Sequence, residues 1–220
     1  MLFRSEHITL FIWPDRLPPV FIVSQTVTSA TLKWVEEEGC QNLFPSLQFP
    51  KLHTLELDSC PLPVDSIYPF IPDSLSITSL FLTDFGFVHD LPVLLRLLPT
   101  ITHFSFQNSR FCHIRPPGTL LDLFSNLHSI DSRTTLLPCL AHFDMRVQGV
   151  DAEIDHGSAT CAFVEMVKSR VTENHLEQRL KSVRFSVPDC CLNDELISSL
   201  AYLPKVGITI SIQDRCGFIL

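Results

Sequence analysis

Four places in the chain put reactive side chains next to one another. Cys112 and His113 are neighbours, a thiol beside a base, which is the pairing that nucleophilic catalysis uses. Adjacency argues against a working dyad, because consecutive residues of a strand point to opposite faces. Cys190 and Cys191 have the composition of a redox pair, but adjacent cysteines close only a strained ring, so two free thiols are expected. Asp151, Glu153, Asp155 and His156 make an acidic run of cation-binding type. The run lacks the glycine and the distal glutamate of a calcium loop, and it reads as a solvated loop between repeats. Glu36-Glu37-Glu38 reads as a solvated turn.

Wider spacing adds no chemistry. Among 8 cysteines and 9 histidines there is no Cys-x-x-Cys, and no two histidines lie three or four apart, so a zinc site is not expected. G-x-S-x-G, P-loop and H-E-x-x-H patterns are missing, and only 7 glycines are available for phosphate-cradling loops. The expectation is a protein that is not an enzyme, with no catalytic residues, metal or cofactor. Lys+Arg 16 against Asp+Glu 24 gives a net charge of −8, the wrong sign for nucleic acid or an anionic membrane. Apolar runs are cut by Pro, Asp or Arg, as in Leu91-Pro-Val-Leu-Leu-Arg96, well short of the roughly 20 residues of a membrane span. No apolar leader follows Met1 and no Asn-x-Ser/Thr acceptor occurs, which suits reduced thiols in the cytoplasm or nucleus.

Period is the stronger signal. Leu52-His-Thr-Leu55-Glu-Leu57-Asp-Ser-Cys60-Pro-Leu62 fits the L-x-x-L-x-L-x-x-N/C-x-L template of a leucine-rich repeat at every fixed position. Further copies start at Ile77 (Leu80, Leu82, Phe85, Phe87) and Ile101 (Phe104, Phe106, Ser109, Phe111), spaced 25 and 24 residues apart. Leu127-His-Ser-Ile130 fits half the template. Leu140-Ala-His-Phe143-Asp-Met145 and Leu180-Lys-Ser-Val183-Arg-Phe185 fit better but lie 40 apart. Ile8 to Ile12, Thr31 to Val35 and Val206 to Ile212 read as degenerate strands.

Helical stripes separate the copies. Val64, Ile67, Tyr68 and Ile71 stand at i, i+3, i+4, i+7, as do Leu91, Leu94, Leu95 and Leu98, and Leu120, Leu123, Phe124 and Leu127. Ala159, Ala162, Phe163 and Met166 repeat the spacing, and Leu192, Leu196, Leu200 and Leu203 surround Asn193-Asp194, residues of the type that caps a helix. Pro50, Pro99, Pro138 and Pro204 each sit two residues before an apolar anchor, where proline should stop a helix and release the next strand. The fold class expected is α/β: a leucine-rich-repeat solenoid, or horseshoe, with a concave parallel sheet and outer helices. Residues 1–220 form a single array, with the best repeats in 50–125 and irregular ones in 126–220.

In such an array the leucine-type anchors are core, and residues between them face out of the concave sheet. They are Thr54, Glu56 and Asp58; Ser79, Phe81 and Thr83; His103, Ser105 and Gln107; His142, Asp144 and Arg146; Ser182, Arg184 and Ser186. A mixed polar strip with one aromatic suits a protein or peptide ligand, although most single members are expected to be solvated strand residues.

The chain resembles the expanded fungal (mushroom-type) F-box/leucine-rich-repeat proteins. The likeness rests on Phe49-Pro50-Lys-Leu52-His-Thr-Leu55-Glu-Leu57, Ile77-Thr-Ser-Leu80-Phe-Leu82 and Leu94-Leu-Arg-Leu-Leu-Pro99-Thr-Ile101-Thr-His-Phe104. Phe163-Val-Glu-Met-Val-Lys-Ser-Arg170 and Arg179-Leu-Lys-Ser-Val-Arg-Phe-Ser-Val187 extend it. It implies a non-catalytic module that holds substrates for a Skp–cullin–F-box ubiquitin ligase, with a Skp-type adaptor as partner if an F-box is encoded upstream. No F-box segment is evident; Arg16-Leu-Pro-Pro-Val20 lacks the acidic residue of that motif. A stand-alone repeat scaffold and a truncated gene product are the alternatives.

Overall fold

The computed structural model describes residues 6–12, 21–35, 44–60, 64–67, 70, 76–85, 90–108, 119–128, 136–147, 156–172, 179–186, 198–214 and 217–218. In chain order the elements are β1 (His7–Ile12), β2 (Ile22–Val23), β3 (Ser29–Trp34), β4 (Leu47–Gln48), β5 (Thr54–Asp58), α1 (Val64–Ile67) and β6 (Ser79–Thr83). Then follow α2 (Leu91–Arg96), β7 (His103–Asn108), α3 (Thr119–Leu127), β8 (His142–Val147), α4 (His156–Thr172), β9 (Ser182–Ser186), β10 (Thr209–Asp214) and β11 (Gly217–Phe218). One sheet runs β1-β3-β5-β6-β7-β8-β9-β10-β11, parallel throughout until β11 turns back antiparallel on β10. β2 and β4 pair separately. The molecule is α/β, with a large open sheet of eight parallel strands.

Strand order equals chain order because every connection returns to the same starting level one strand further on. A single backbone device sets that level. The carbonyl of Thr28 accepts the N–H groups of both His53 and Thr54, and His53 carbonyl accepts those of Thr78 and Ser79. Thr78 does the same for Thr102 and His103, Thr102 for Ala141 and His142, and Ala141 for Lys181 and Ser182. Each strand thus inherits its register from the one before, whatever the length of the intervening segment.

The turns also recur. Leu52 N–H bonds to Phe49 carbonyl, Ile101 to Leu98 and Leu140 to Leu137, so Pro50, Pro99 and Pro138 each occupy the second position of a four-residue turn, where a fixed φ is already correct. Of the four prolines expected to stop helices, Pro99 does so after α2, whereas Pro50 follows strand β4. Pro204 lies inside a 3-10 turn, Leu203–Val206, so Val206 precedes the last parallel strand rather than starting it. Ser59 and Asp84, each one residue past a strand, take left-handed backbone (φ 56 and 48), and each donates its N–H to the neighbouring strand, to Thr83 and Gln107.

The anchors form the core. Leu52, Leu55, Leu57, Cys60, Ile77, Leu80, Leu82, Phe85, Ile101, Phe104 and Phe106 are all buried, as are the anchors of β8 and β9. Leu91, Leu94, Leu95 and Leu98 of the α2 region join them. Phenylalanine fills the space between the helices and the far half of the sheet: Phe124 of α3 packs edge-on against Phe143, Phe163 and Phe185, and Phe163 of α4 stacks on Phe185 at 4.1 Å. Leu127 belongs to this helix face and ends α3, which corrects its reading as the start of a half-repeat strand. The units after β7 are long because they carry the longer helices α3 and α4; β7, β8 and β9 are direct neighbours. Arg170, near the end of α4, is wholly buried and donates to three carbonyls: Leu127, Leu136 and Leu137.

Candidate functional site

Alternation along each parallel strand puts one set of side chains into the core and the other on the open face. Every residue expected between the anchors lies on that open face, exposed or half-buried. Pairing aligns them in three rows across the sheet. The first runs Ser29, Thr54, Ser79, His103, His142, Ser182 and Thr209; the second Thr31, Glu56, Phe81, Ser105, Asp144, Arg184 and Ser211. The third runs Lys33, Asp58, Thr83, Gln107, Arg146, Ser186 and Gln213. Neighbours within a row are one strand spacing apart, about 4.8 Å.

The rows carry opposite charge at their two ends. Toward β3 and β5, Glu56 accepts a hydrogen bond from the Thr31 hydroxyl at 2.9 Å, and Asp58 pairs with Lys33 at 2.6 Å. Hydrogen bonding and charge from Asp58 raise the Lys33 pKa. Toward β8 and β9, Arg146 grips Asp144 with two nitrogens, at 3.2 and 2.9 Å, while Arg184 touches the same carboxylate once, at 3.4 Å. Arg146 and Arg184 therefore share one carboxylate at that end of an otherwise acidic chain, and the charge of Lys181 acts on the histidines beside it.

At the cationic end the face dips into a cleft of about 310 Å³, lined by Phe81, His103, Ser105, His142, Asp144, Ser182, Arg184, Thr209 and Ser211, with Phe104, Phe143 and Val183 of the adjoining anchors. His103 and His142 stack at 4.1 Å, 17° from parallel. Thr102 Oγ1 lies 2.8 Å from His103 Nδ1 and also donates to Thr78 carbonyl, so the histidine donates at Nδ1 and its Nε2 is an acceptor with no hydrogen-bond partner among the described residues. His142 Nδ1 is 2.7 Å from Ser182 Oγ. Desolvation, then the positive charge of Lys181, pulls the His103 pKa below its ordinary value. For His142 the causes are desolvation, then His103, then Lys181. Both shifts favour the neutral ring.

The structure brings Phe81, His103, Ser105, His142, Asp144, Ser182 and Arg184 to one cleft. Glu56 and Asp58 sit apart from it on β5, and Thr54, Ser79, Thr83, Gln107 and Ser186 continue the rows without lining it. Sequence reasoning missed Thr31, Lys33, Thr209 and Ser211. Their signal was present: the alternation of Thr209-Ile-Ser211-Ile212 marks Thr209 and Ser211 as outward once Ile212 is placed in the core. The residues first considered for chemistry, Cys112-His113, Cys190-Cys191, Asp151 to Asp155 and Glu36 to Glu38, lie outside the described residues, as does Arg16 to Val20.

No family model, curated protein or solved structure matches the chain. Among the described residues no helix is long and apolar enough to cross a membrane.

Proposed function

We propose that the chain is a leucine-rich-repeat solenoid whose open sheet face is the concave side of a horseshoe, and that this face binds a protein segment without catalysing a reaction. What supports the reading is the unbroken register of the three rows. Seven consecutive parallel strands present polar side chains at fixed spacing, with a cleft and an aromatic, Phe81, in the middle. A rigid backbone ladder costs little entropy when a ligand lands on it, which is how pre-organised surfaces gain affinity.

The kinship suggested by the repeat motifs makes this face the substrate-recognition part of an F-box protein in a Skp–cullin–F-box ligase. A stand-alone scaffold in the cytoplasm or nucleus is the second reading. Affinity purification of the full chain from its native cells separates them. Recovery of a Skp-type adaptor with a cullin supports the ligase, and recovery of other proteins without them supports the scaffold. In either case Glu56→Ala, Phe81→Ser and Arg146→Ala together release the captured proteins. A triple variant that holds them as well as the parent refutes the binding face.

A further inference from the structure

The open face offers two different ends, and the cleft belongs to the cationic one. Asp144 is neutralised by the two-nitrogen grip of Arg146, so the single 3.4 Å contact of Arg184 is redundant for charge balance. The Arg184 side chain is 55% exposed, and one such contact leaves most of its donors free to turn toward the cleft. Opposite it stand the stacked rings of His103 and His142 and the half-exposed ring of Phe81. The charged groups nearest the imidazoles are Asp144 of β8 and Arg184 of β9, which share the cleft, Lys181 one residue before β9, and Arg146, held on Asp144; the hydroxyls of Thr102, Ser182, Thr209 and Ser211 are neutral.

Resting on the reading of this face as a protein-binding surface, we propose that the cleft seats an acidic side chain of a bound peptide: Arg184 takes its carboxylate, and an apolar residue beside it in the ligand packs on Phe81. Charge complementarity decides the class: with Asp144 taken up by Arg146, a basic ligand would meet the positive charge of Arg184 in the cleft and of Lys181 beside its histidines. Arg184 exchanges one long contact for a paired one, while Arg146 keeps Asp144 neutral. Because Nε2 of His103 is an acceptor, an approaching carboxylate favours the protonated ring, and binding takes up a proton.

The test uses the full chain and short fluorescein-labelled peptides carrying Ser-Glu-Phe-Ser, the same peptide with Gln for Glu, and one with phosphoserine for Glu, read by anisotropy. The Glu peptide is expected to bind about tenfold or more tightly than the Gln peptide, the scale of one charged hydrogen bond. Arg184→Gln removes that difference and leaves Gln-peptide binding alone; Phe81→Ser weakens both equally. Acidification from about pH 7.5 to about pH 6 tightens the Glu peptide and not the Gln peptide, and His142→Gln together with His103→Gln abolishes the pH effect. Equal binding of the Glu and Gln peptides, binding of the phosphoserine peptide alone, or indifference to Arg184→Gln overturns the proposal. If no peptide binds while the triple face variant still loses the captured proteins, this inference falls and the binding face stands.

Discussion

Arg170 is the residue whose removal should cost most for its size. Its guanidinium donates Nε to Leu127 carbonyl at 2.8 Å and Nη1 to Leu137 carbonyl at 2.9 Å, and Nη2 reaches Leu136 carbonyl. Those carbonyls end α3 and form the turn that leads into β8, so one side chain ties helix, turn and α4 together. Leu137 is held at φ 51, a left-handed conformation that a leucine adopts only where its surroundings force it, at about 1–3 kcal/mol. Burial pushes the Arg170 pKa down to about 10, so it stays charged at neutral pH, and at roughly 1.4 kcal/mol per pKa unit its desolvation costs about 3 kcal/mol. Arg170→Met keeps most of the volume and regains that cost. It also deprives the Leu127 and Leu136 carbonyls of a charged donor, at about 1–3 kcal/mol each, and leaves Leu137 with the N–H of Leu140 alone. At the middle of these ranges the two orphaned carbonyls and the weakened hold on Leu137 outweigh the desolvation relief, so we expect a net loss of about 1–2 kcal/mol. Arg170→Lys, which keeps the charge but not the fork, should lose at least as much. Urea unfolding followed by circular dichroism reads both as a lower midpoint at unchanged slope, and amide exchange reads faster opening at Leu140. A Met variant within about 0.5 kcal/mol of the parent would sink the argument, because the three bonds would then contribute nothing beyond packing.

Two further outcomes follow from local geometry. The depressed pKa values of His103 and His142 mean that below pH 6.5 the unfolded chain binds protons that the folded chain resists. Their contribution is therefore absent above that pH and becomes a growing loss of stability as pH falls; thermal melts should show it, and His103→Gln with His142→Gln should flatten that part of the profile. Ser59→Gly relieves a left-handed backbone and should raise stability by about 0.5 kcal/mol, whereas Ser59→Val should lower it by about 1–2 kcal/mol in the same urea assay.

The strand anchors were legible because leucine-type residues at fixed offsets repeat in phase, and a period of two fixes which neighbours face out. That reasoning reached all three rows on β5 through β9. It could not reach which member of a row meets which across a gap of 39 residues, so the His103–His142 stack and the shared hold on Asp144 were invisible. The length of the α3 and α4 units had the same effect: Leu127 fits a strand template and a helix stripe equally well, and only the packing of Phe124 on Phe143 and Phe185 decides for the helix. Arg170 carried no signal at all. A lone arginine near a helix end reads as solvated, and its burial is dictated by carbonyls of distant turns.

The separation of the two charged ends makes a last prediction about ligand length. Glu56 on β5 and Arg184 on β9 are four strand spacings apart in the same row, about 19 Å at 4.8 Å per spacing. An extended peptide crossing the strands advances about 3.3 Å per residue, so about six residues separate a lysine over Glu56 from a glutamate over Arg184. Glu56 already accepts from Thr31, and its second oxygen is the one left for the ligand. A peptide with Lys and Glu six apart should bind more tightly than one with the same residues two apart, and reversing their order should remove the gain. The advantage should also fade as salt rises, because both contacts are solvent-facing and are screened over about 10 Å at 0.1 M salt. Equal affinity for both spacings would mean that only one end of the face is in contact, and the ligand would then run along the strands over the cleft instead of across them.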